Sequence, residues 1–142
     1  MNLRLKTNLD VETKLSELQG ILQLSSKAAV MRIAIGYSVK LKSDPRIIDG
    51  ELYKYNIKEQ NGSDYLRHTV FSDDELFYKL MMEQSLNKYI TDDEFFPELT
   101  FYHVYRGIKA LYSDVKLYGS KEKWLKHILN ENKIDGWFIW IE

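Results

Sequence analysis

The fold is decided by residues 2–39, which read NLRLKTNLDVETKLSELQGILQLSSKAAVMRIAIGYSV. Polar and apolar residues alternate over 2–7, which predicts a half-buried strand. Apolar residues then recur every three or four positions over 11–22, which predicts an amphipathic helix that Asn8 or Asp10 can cap. The pair Ser25-Ser26 is a cap signal for a second, mostly apolar helix ending near Val39. This stretch therefore predicts one strand followed by two helices.

These three elements cannot bury their own apolar faces, and a lone strand leaves backbone N–H and C=O groups unpaired. Pairing the strand with the same strand of a second chain would satisfy both needs, in the arrangement called ribbon-helix-helix. Its two-stranded ribbon fits the major groove of DNA, with Arg4 and Lys6 on the exposed face. The alternative is an ordinary edge strand whose lysine guards against aggregation, and periodicity alone favours that alternative.

The rest of the chain predicts a hairpin followed by helices. Two strand-like runs, 51–58 and 64–71, flank Asn61-Gly62, a common hairpin turn. Helix starts are predicted at 72–73, at the capping-box pattern of 91–94 and at Ser120. The predicted fold class is mainly α (α+β), in a single domain over 1–142. Its parts are a ribbon-helix-helix-like unit (1–40), a hairpin plus two helices (41–113), and an extension with a short helix and an apolar strand-like tail (114–142).

Composition excludes several classes of protein. The 142 residues include no cysteine, which rules out a disulfide scaffold, a cysteine zinc site and a thiol nucleophile. No apolar run approaches the roughly 20 residues that span a bilayer, and the first residues lack a signal-peptide pattern, so we expect a cytoplasmic protein with no membrane partner. His68, His103 and His127 lack zinc-helix spacing, and no phosphate loop or nucleophile motif occurs. We therefore expect a non-enzyme without catalytic residues, metal or cofactor.

The net charge of −1 conceals a segregation of charge. Residues 1–46 hold eight Lys or Arg against four Asp or Glu, whereas 47–142 hold twelve against seventeen. Within the second part, 71–100 carries two basic and eight acidic residues. The sign asymmetry between segments, rather than the average charge, is the informative quantity. It favours weak, salt-sensitive contact with a nucleic-acid backbone over tight operator recognition.

Three stretches resemble the DndE family. Residues 30–39, VMRIAIGYSV, are similar to its second-helix motif, and 102–111, YHVYRGIKAL, to its C-terminal His-Arg-Gly-Ile pattern. The segment 49–55, DGELYKY, resembles a middle stretch of the family more loosely. The three motifs occur in the family's order over about 3–112. The chain continues for about 30 residues past Leu111, where family members usually end.

The resemblance implies a small, non-enzymatic partner of the DndC and DndD components in bacterial DNA phosphorothioation. In that modification sulfur replaces a non-bridging phosphate oxygen. It also implies a tetramer with a ribbon-helix-helix-like core that binds duplex DNA and prefers nicked DNA. The expected partners are therefore DNA, DndC- and DndD-like proteins, and further copies of this chain as a dimer or tetramer.

The residues predicted to contact DNA are all basic. Arg32 could instead be structural, since its neighbours are apolar, and the loop lysines could merely aid solubility. Gly107, inside a predicted helix, indicates close helix packing, with an anion site at Arg106 as the alternative. The predicted DNA-contacting residues are Arg4, Lys6, Lys14, Lys27, Arg32, Lys40 and Lys42.

Two other functions fit the same sequence. One is an adaptor that binds a protein through its acidic middle and the aromatic tail at 137–141, without touching DNA. The other is a ribbon-helix-helix repressor or antitoxin that recognises an operator. Sequence-specific binding would indicate the repressor, and failure to bind DNA at low salt would indicate the adaptor.

Overall fold

The computed structural model describes residues 4–132, with helices that surround a central helix and two small strand pairs. Among these residues no helix is both long and apolar enough to cross a membrane. The elements are β1 (Arg4–Lys6), α1 (Leu9–Leu22), α2 (Lys27–Val39), β2 (Ile47–Ile48), β3 (Glu51–Leu52), β4 (Asp64–Leu66), α3 (Arg67–Phe71), α4 (Glu75–Leu86), α5 (Asp92–Glu94), α6 (Thr100–Tyr118) and α7 (Lys121–Asn132). The mainly α (α+β) fold class is confirmed.

Helix α2 is the centre of the core. It packs along α6, and α1, α3 and α4 contact it as well. Most of its residues are buried, as expected for a helix that is apolar on nearly every side. Gly107 of α6 faces the backbone of Ala34, and a Cβ at this glycine would overlap the Ala34 carbonyl. The prediction of close helix packing at Gly107 is therefore confirmed.

The predicted helix caps are confirmed at four sites, including Ser120, whose hydroxyl accepts from the Lys123 N–H at 3.3 Å. The Asn8 side chain accepts from the Val11 amide at 2.8 Å and begins α1. Ser26 accepts from the Ala29 amide at 3.1 Å and begins α2. Thr91 and Glu94 form a reciprocal capping box at α5. Each cap satisfies a backbone N–H that has no partner inside its helix. The predicted cap at 72–73 is wrong, because Ser72 ends α3 and α4 begins at Glu75.

The predicted hairpin around Asn61-Gly62 is wrong. The hairpin lies earlier, where β2 pairs with β3 around Asp49 and Gly50, both with positive φ. Asp-Gly satisfies a tight hairpin turn as well as Asn-Gly does, because both residues tolerate positive φ. Residues 67–71 form helix α3 instead of continuing a strand, and this helix buries Val70 and Phe71 completely.

Strand β1 has a partner in its own chain, which corrects the expectation of a lone strand. It pairs antiparallel with β4, so that Leu5 lies opposite Tyr65 and Lys6 opposite Asp64. The order of one strand followed by two helices is as predicted. Residues 1–3 and the tail at 133–142, including the predicted strand-like segment, lie outside the described residues.

The other edge of β1 is covered as well. The Tyr55 hydroxyl accepts from the Lys6 N–H and donates to the Lys6 carbonyl, each at 3.0 Å. A second copy of β1 would need these two backbone groups to form a ribbon. Hydrogen bonds within the chain therefore satisfy the β1 backbone groups that we expected an intermolecular ribbon to pair.

Candidate nucleic-acid interface

Arg4 and Lys6 lie on the same outward face of β1. They alternate with Leu5, which is fully buried, so their side chains point away from the core. The Arg4 side chain is 63% exposed and lies 3.7 Å from the Asp64 carboxylate across the ladder. An ion pair this exposed contributes little and is easily exchanged for a phosphate contact. We call the face of β1 that carries Arg4 and Lys6, beside the Asp64 carboxylate, the basic face of β1.

Lys27, at the start of α2, is bound to Glu12. The Glu12 carboxylate accepts from the Thr7 hydroxyl at 2.6 Å, the Tyr65 hydroxyl at 2.7 Å and the Lys27 ammonium at 3.0 Å. Burial alone would raise the pKa of Glu12, but these three donors hold the pKa below its usual value. The cluster ties the ends of β1 and β4 to the first turns of α1 and α2. Sequence reasoning missed it because its members are far apart in the chain.

Lys14 and Arg32 also have partners within the chain. Lys14 pairs with Asp10 one turn earlier and lies over the Tyr112 ring, 5.2 Å from its centroid, with a side chain only 21% exposed. Arg32 donates to the Val70 carbonyl at 2.8 Å, which joins α2 to α3. Both side chains therefore help to hold helices together.

Lys40 and Lys42 are exposed in the loop that follows α2. Arg46, in the same loop, is held by the Asp44 carboxylate, with its closest nitrogen 2.7 Å away. The hydrogen bonds from Arg46 are the main cause of the lowered pKa of Asp44. This pair compensates its own charge.

Five of the seven predicted DNA-contacting residues lie toward one end or the other of α2, while Lys14 lies on α1 and Arg32 within α2. Arg4, Lys6 and Lys27 lie near its start, and Lys40 and Lys42 follow its end. The 13 residues of α2 span roughly 20 Å at 1.5 Å per residue. The seven residues therefore do not form one cluster, and the basic face of β1 is distinct from the loop lysines.

Arg106 is committed to the interior and is not an exposed anion site. Its guanidinium donates to the Ser38 hydroxyl at 2.9 Å, the Ser38 carbonyl at 2.7 Å and the Ser43 hydroxyl at 2.8 Å. These bonds attach α6 to the end of α2 and to the loop after it. The backbone carbonyls of Ser43 and Asp44 accept from the same guanidinium at 3.2 Å.

His103 lies one turn before Arg106 and shares Ser38 with it. The His103 Nδ1 atom is 2.8 Å from the Ser38 hydroxyl, while Nε2 has no hydrogen-bond partner among the described residues. Because Arg106 donates to the Ser38 oxygen, the Ser38 proton is directed to Nδ1, which leaves a neutral ring. Burial, assisted by the nearby Arg106 charge, lowers the pKa of His103 to about 3. This buried cluster was not predicted, although the i, i+3 spacing of His103 and Arg106 places them on one helix face.

The other two histidines are apart from His103 and from each other. His68 is exposed on α3, and His127 of α7 stacks on Tyr118, whose hydroxyl is 2.8 Å from His127 Nδ1. Within residues 4–132 no group of three His, Asp or Glu side chains is arranged to hold a metal ion.

One comparison with known proteins finds a family for this chain. The sequence profile described as DndE, DNA sulphur modification protein DndE, matches residues 4–119. No curated protein and no solved structure matches the chain significantly. The matched range includes both ends of α2, the Glu12 cluster and the buried Arg106. Since the profile covers well over half of the sequence, the chain belongs to the DndE family of DNA sulphur modification proteins.

Proposed function

We propose that this chain is a cytoplasmic, non-enzymatic accessory subunit of DNA phosphorothioation that binds duplex or nicked DNA through its phosphate backbone. It acts as a dimer or tetramer beside DndC- and DndD-like proteins. Membership of the DNA sulphur modification family supports the pathway. The observation that carries DNA contact is the outward-facing pair Arg4 and Lys6 on β1. Contacts of this kind position a protein on DNA without reading its sequence.

The seven predicted residues are expected to contribute unequally. Arg4, Lys40 and Lys42 are exposed and Lys6 is half-buried, so we expect these four to contribute most, at the basic face of β1 and in the separate loop after α2. Lys14, Lys27 and Arg32 are half-buried, and they hold Asp10, Glu12 and the Val70 carbonyl respectively. A phosphate would have to replace those interactions, so we expect smaller contributions from the second group.

We propose that the oligomer assembles through a surface other than β1. Tyr55 covers the open edge of that strand at Lys6. Helix α4 instead exposes Leu76, Phe77 and Leu80, which are 68%, 43% and 53% accessible and lie on one side of the helix. A contiguous apolar surface of this kind is typical of a protein interface.

The test is fluorescence anisotropy with labelled intact and nicked duplexes over a range of salt concentrations. The double variant Arg4→Ala/Lys6→Ala should bind both duplexes several-fold more weakly, irrespective of base sequence. Its log–log salt slope should fall by about two, one for each lost phosphate contact. The matched control is Lys123→Ala/Lys126→Ala, which removes two exposed charges from α7. If the two variants bind equally well, the basic face of β1 is not the contact surface.

A further inference from the structure

A groove lies on a negatively charged surface, where α5 leads into α6. Two open cavities of about 580 and 620 Å³ share Asp93 and Glu98 as lining residues, so they adjoin at these side chains and are together called the groove. One half extends along 54–59, and the other extends past Pro45 and the end of α4. Phe96, between the shared residues, has an extended backbone that turns the chain from α5 into α6 and places both carboxylates at the rim.

The groove has an excess of negative charge, because its lining holds five carboxylates and three cations. Among the lining cations, Arg46 is paired with Asp44 at 2.7 Å and Lys88 with Glu94 at 3.9 Å. Within the described residues, the side chains of Asp93, Glu98 and Glu59 form no hydrogen bond or ion pair. Lys54 is the remaining cation of the lining.

The floor of the groove is apolar. Ile90 and Tyr102 are nearly fully buried beneath it, and Leu99 and Pro97 are half-buried at its sides. Burial raises the pKa of the Tyr102 hydroxyl, and the negative charge of Glu98 adds to the rise. An occupant must therefore present apolar groups to the floor and positive charge to the rim. Lysine and arginine do both, since their methylene stems pack on apolar surface while their charged ends stay at the edge.

We propose that this groove is a docking site for an extended, basic segment of a protein partner, in which Lys or Arg residues alternate with apolar ones. In an extended segment successive side chains point to opposite sides, so alternation directs apolar residues to the floor and cations to Asp93 and Glu98. The same negative rim repels a DNA backbone. The chain would then hold DNA and a protein partner on different surfaces, so this site is independent of the proposed DNA contact.

The test uses the full chain and two labelled hexapeptides, Lys-Leu-Arg-Val-Lys-Leu and the charge-reversed Glu-Leu-Glu-Val-Glu-Leu. Fluorescence anisotropy should show saturable, salt-sensitive binding of the basic peptide alone. The isosteric variant Asp93→Asn/Glu98→Gln should weaken that binding by about three- to tenfold, as expected for the loss of two rim charges. The matched control is Glu51→Gln/Asp73→Asn, which removes two exposed carboxylates that do not line the groove and should bind like the unmodified chain.

Three results would overturn the proposal: no saturable binding of the basic peptide up to about 1 mM, binding of both peptides alike, or equal weakening by the groove variant and its control. A groove variant with a changed mass in light scattering would instead identify the groove as a contact between copies. Asp93→Asn/Glu98→Gln should bind DNA like the unmodified chain. Arg4→Ala/Lys6→Ala should bind the peptide like the unmodified chain and bind DNA several-fold more weakly. The DNA-contact proposal and the groove proposal can therefore be overturned independently of each other.

Discussion

The Tyr55 hydroxyl satisfies both backbone groups of Lys6, accepting from its N–H and donating to its carbonyl at 3.0 Å. A side chain from 49 residues away thus takes the place of a neighbouring strand at this point of β1. An uncovered strand edge is a template for pairing with another chain. Tyr55 is itself buried and packs on Phe101, so the cover is anchored in the core.

Removing this hydroxyl should uncover the strand. We expect Tyr55→Phe to lower the free energy of unfolding by about 1–2 kcal/mol, since two backbone groups lose their partner. It should also promote concentration-dependent self-association through β1. Urea denaturation measures the first effect and light scattering the second. Tyr89→Phe, at a position 75% exposed, is the control and should change neither. Equal stability of the two variants would show that the Lys6 groups do not depend on Tyr55.

Gly107 should be the most sensitive glycine among the described residues of α1 and α6. Gly107→Ala should destabilise the fold by about 3 kcal/mol or more, because the new Cβ overlaps the Ala34 carbonyl and α2 and α6 must move apart. Gly20→Ala, in α1, adds a methyl group with no neighbour within 4 Å and should stabilise the chain by up to about 1 kcal/mol. Thermal and urea unfolding compare the two variants. A tolerated alanine at 107 would contradict the close packing.

His103 should make the fold sensitive to mild acid. Burial holds its folded-state pKa near 3, whereas the unfolded chain has the ordinary value of about 6.5. The unfolded state therefore binds a proton first, and stability falls as the pH drops below about 6.5. This residue alone should remove about 2 kcal/mol between pH 7.5 and pH 5.

The corresponding measurement is urea denaturation at both pH values for the unmodified chain and for His103→Gln. The variant cannot take up that proton, so its stability should change less between pH 7.5 and pH 5. The difference between the two pH values is the readout, because the substitution also disturbs Ser38 and lowers stability at either pH. If both proteins lose the same amount, His103 does not carry the acid sensitivity.

Glu12 should contribute stability only while its carboxylate is charged. Glu12→Gln replaces an acceptor of three donors by a group with one acceptor oxygen, so we expect a loss of about 1–3 kcal/mol at pH 7. The folded-state pKa of Glu12 is lowered, so its contribution is lost as the pH falls through that value. The deficit of the variant should therefore shrink in strong acid. The exposed Glu51→Gln serves as control and should show no deficit at neutral pH.

Local patterns were enough to predict several elements. Asn8, Ser26 and Thr91 cap helices as expected, because a cap depends on residues within one turn. The apolar stretch of α2 was enough to predict a buried helix. The hairpin was misplaced because Asp49-Gly50 and Asn61-Gly62 have equal local preference for a turn. Only the rest of the chain distinguishes them, by placing 61–64 beside Thr7.

The candidate surfaces depended far more on distant contacts. Nothing in the neighbouring sequence indicates that Lys27 and Lys42 differ in role. In the structure Lys27 is bound to Glu12, whereas Lys42 is exposed in a loop. The groove at Asp93 and Glu98 joins three parts of the chain, and no spacing within one element indicates it.

The sequence by itself determined most of the helices and their caps, the segregation of charge and the family, because each depends on residue type and short-range order. Tertiary structure decided the partner of β1, the cover that Tyr55 provides and the commitment of Arg106 to the interior. The physical reason is that a strand edge or a buried guanidinium can form hydrogen bonds with any suitable partner. Which partner reaches it depends on how the whole chain packs.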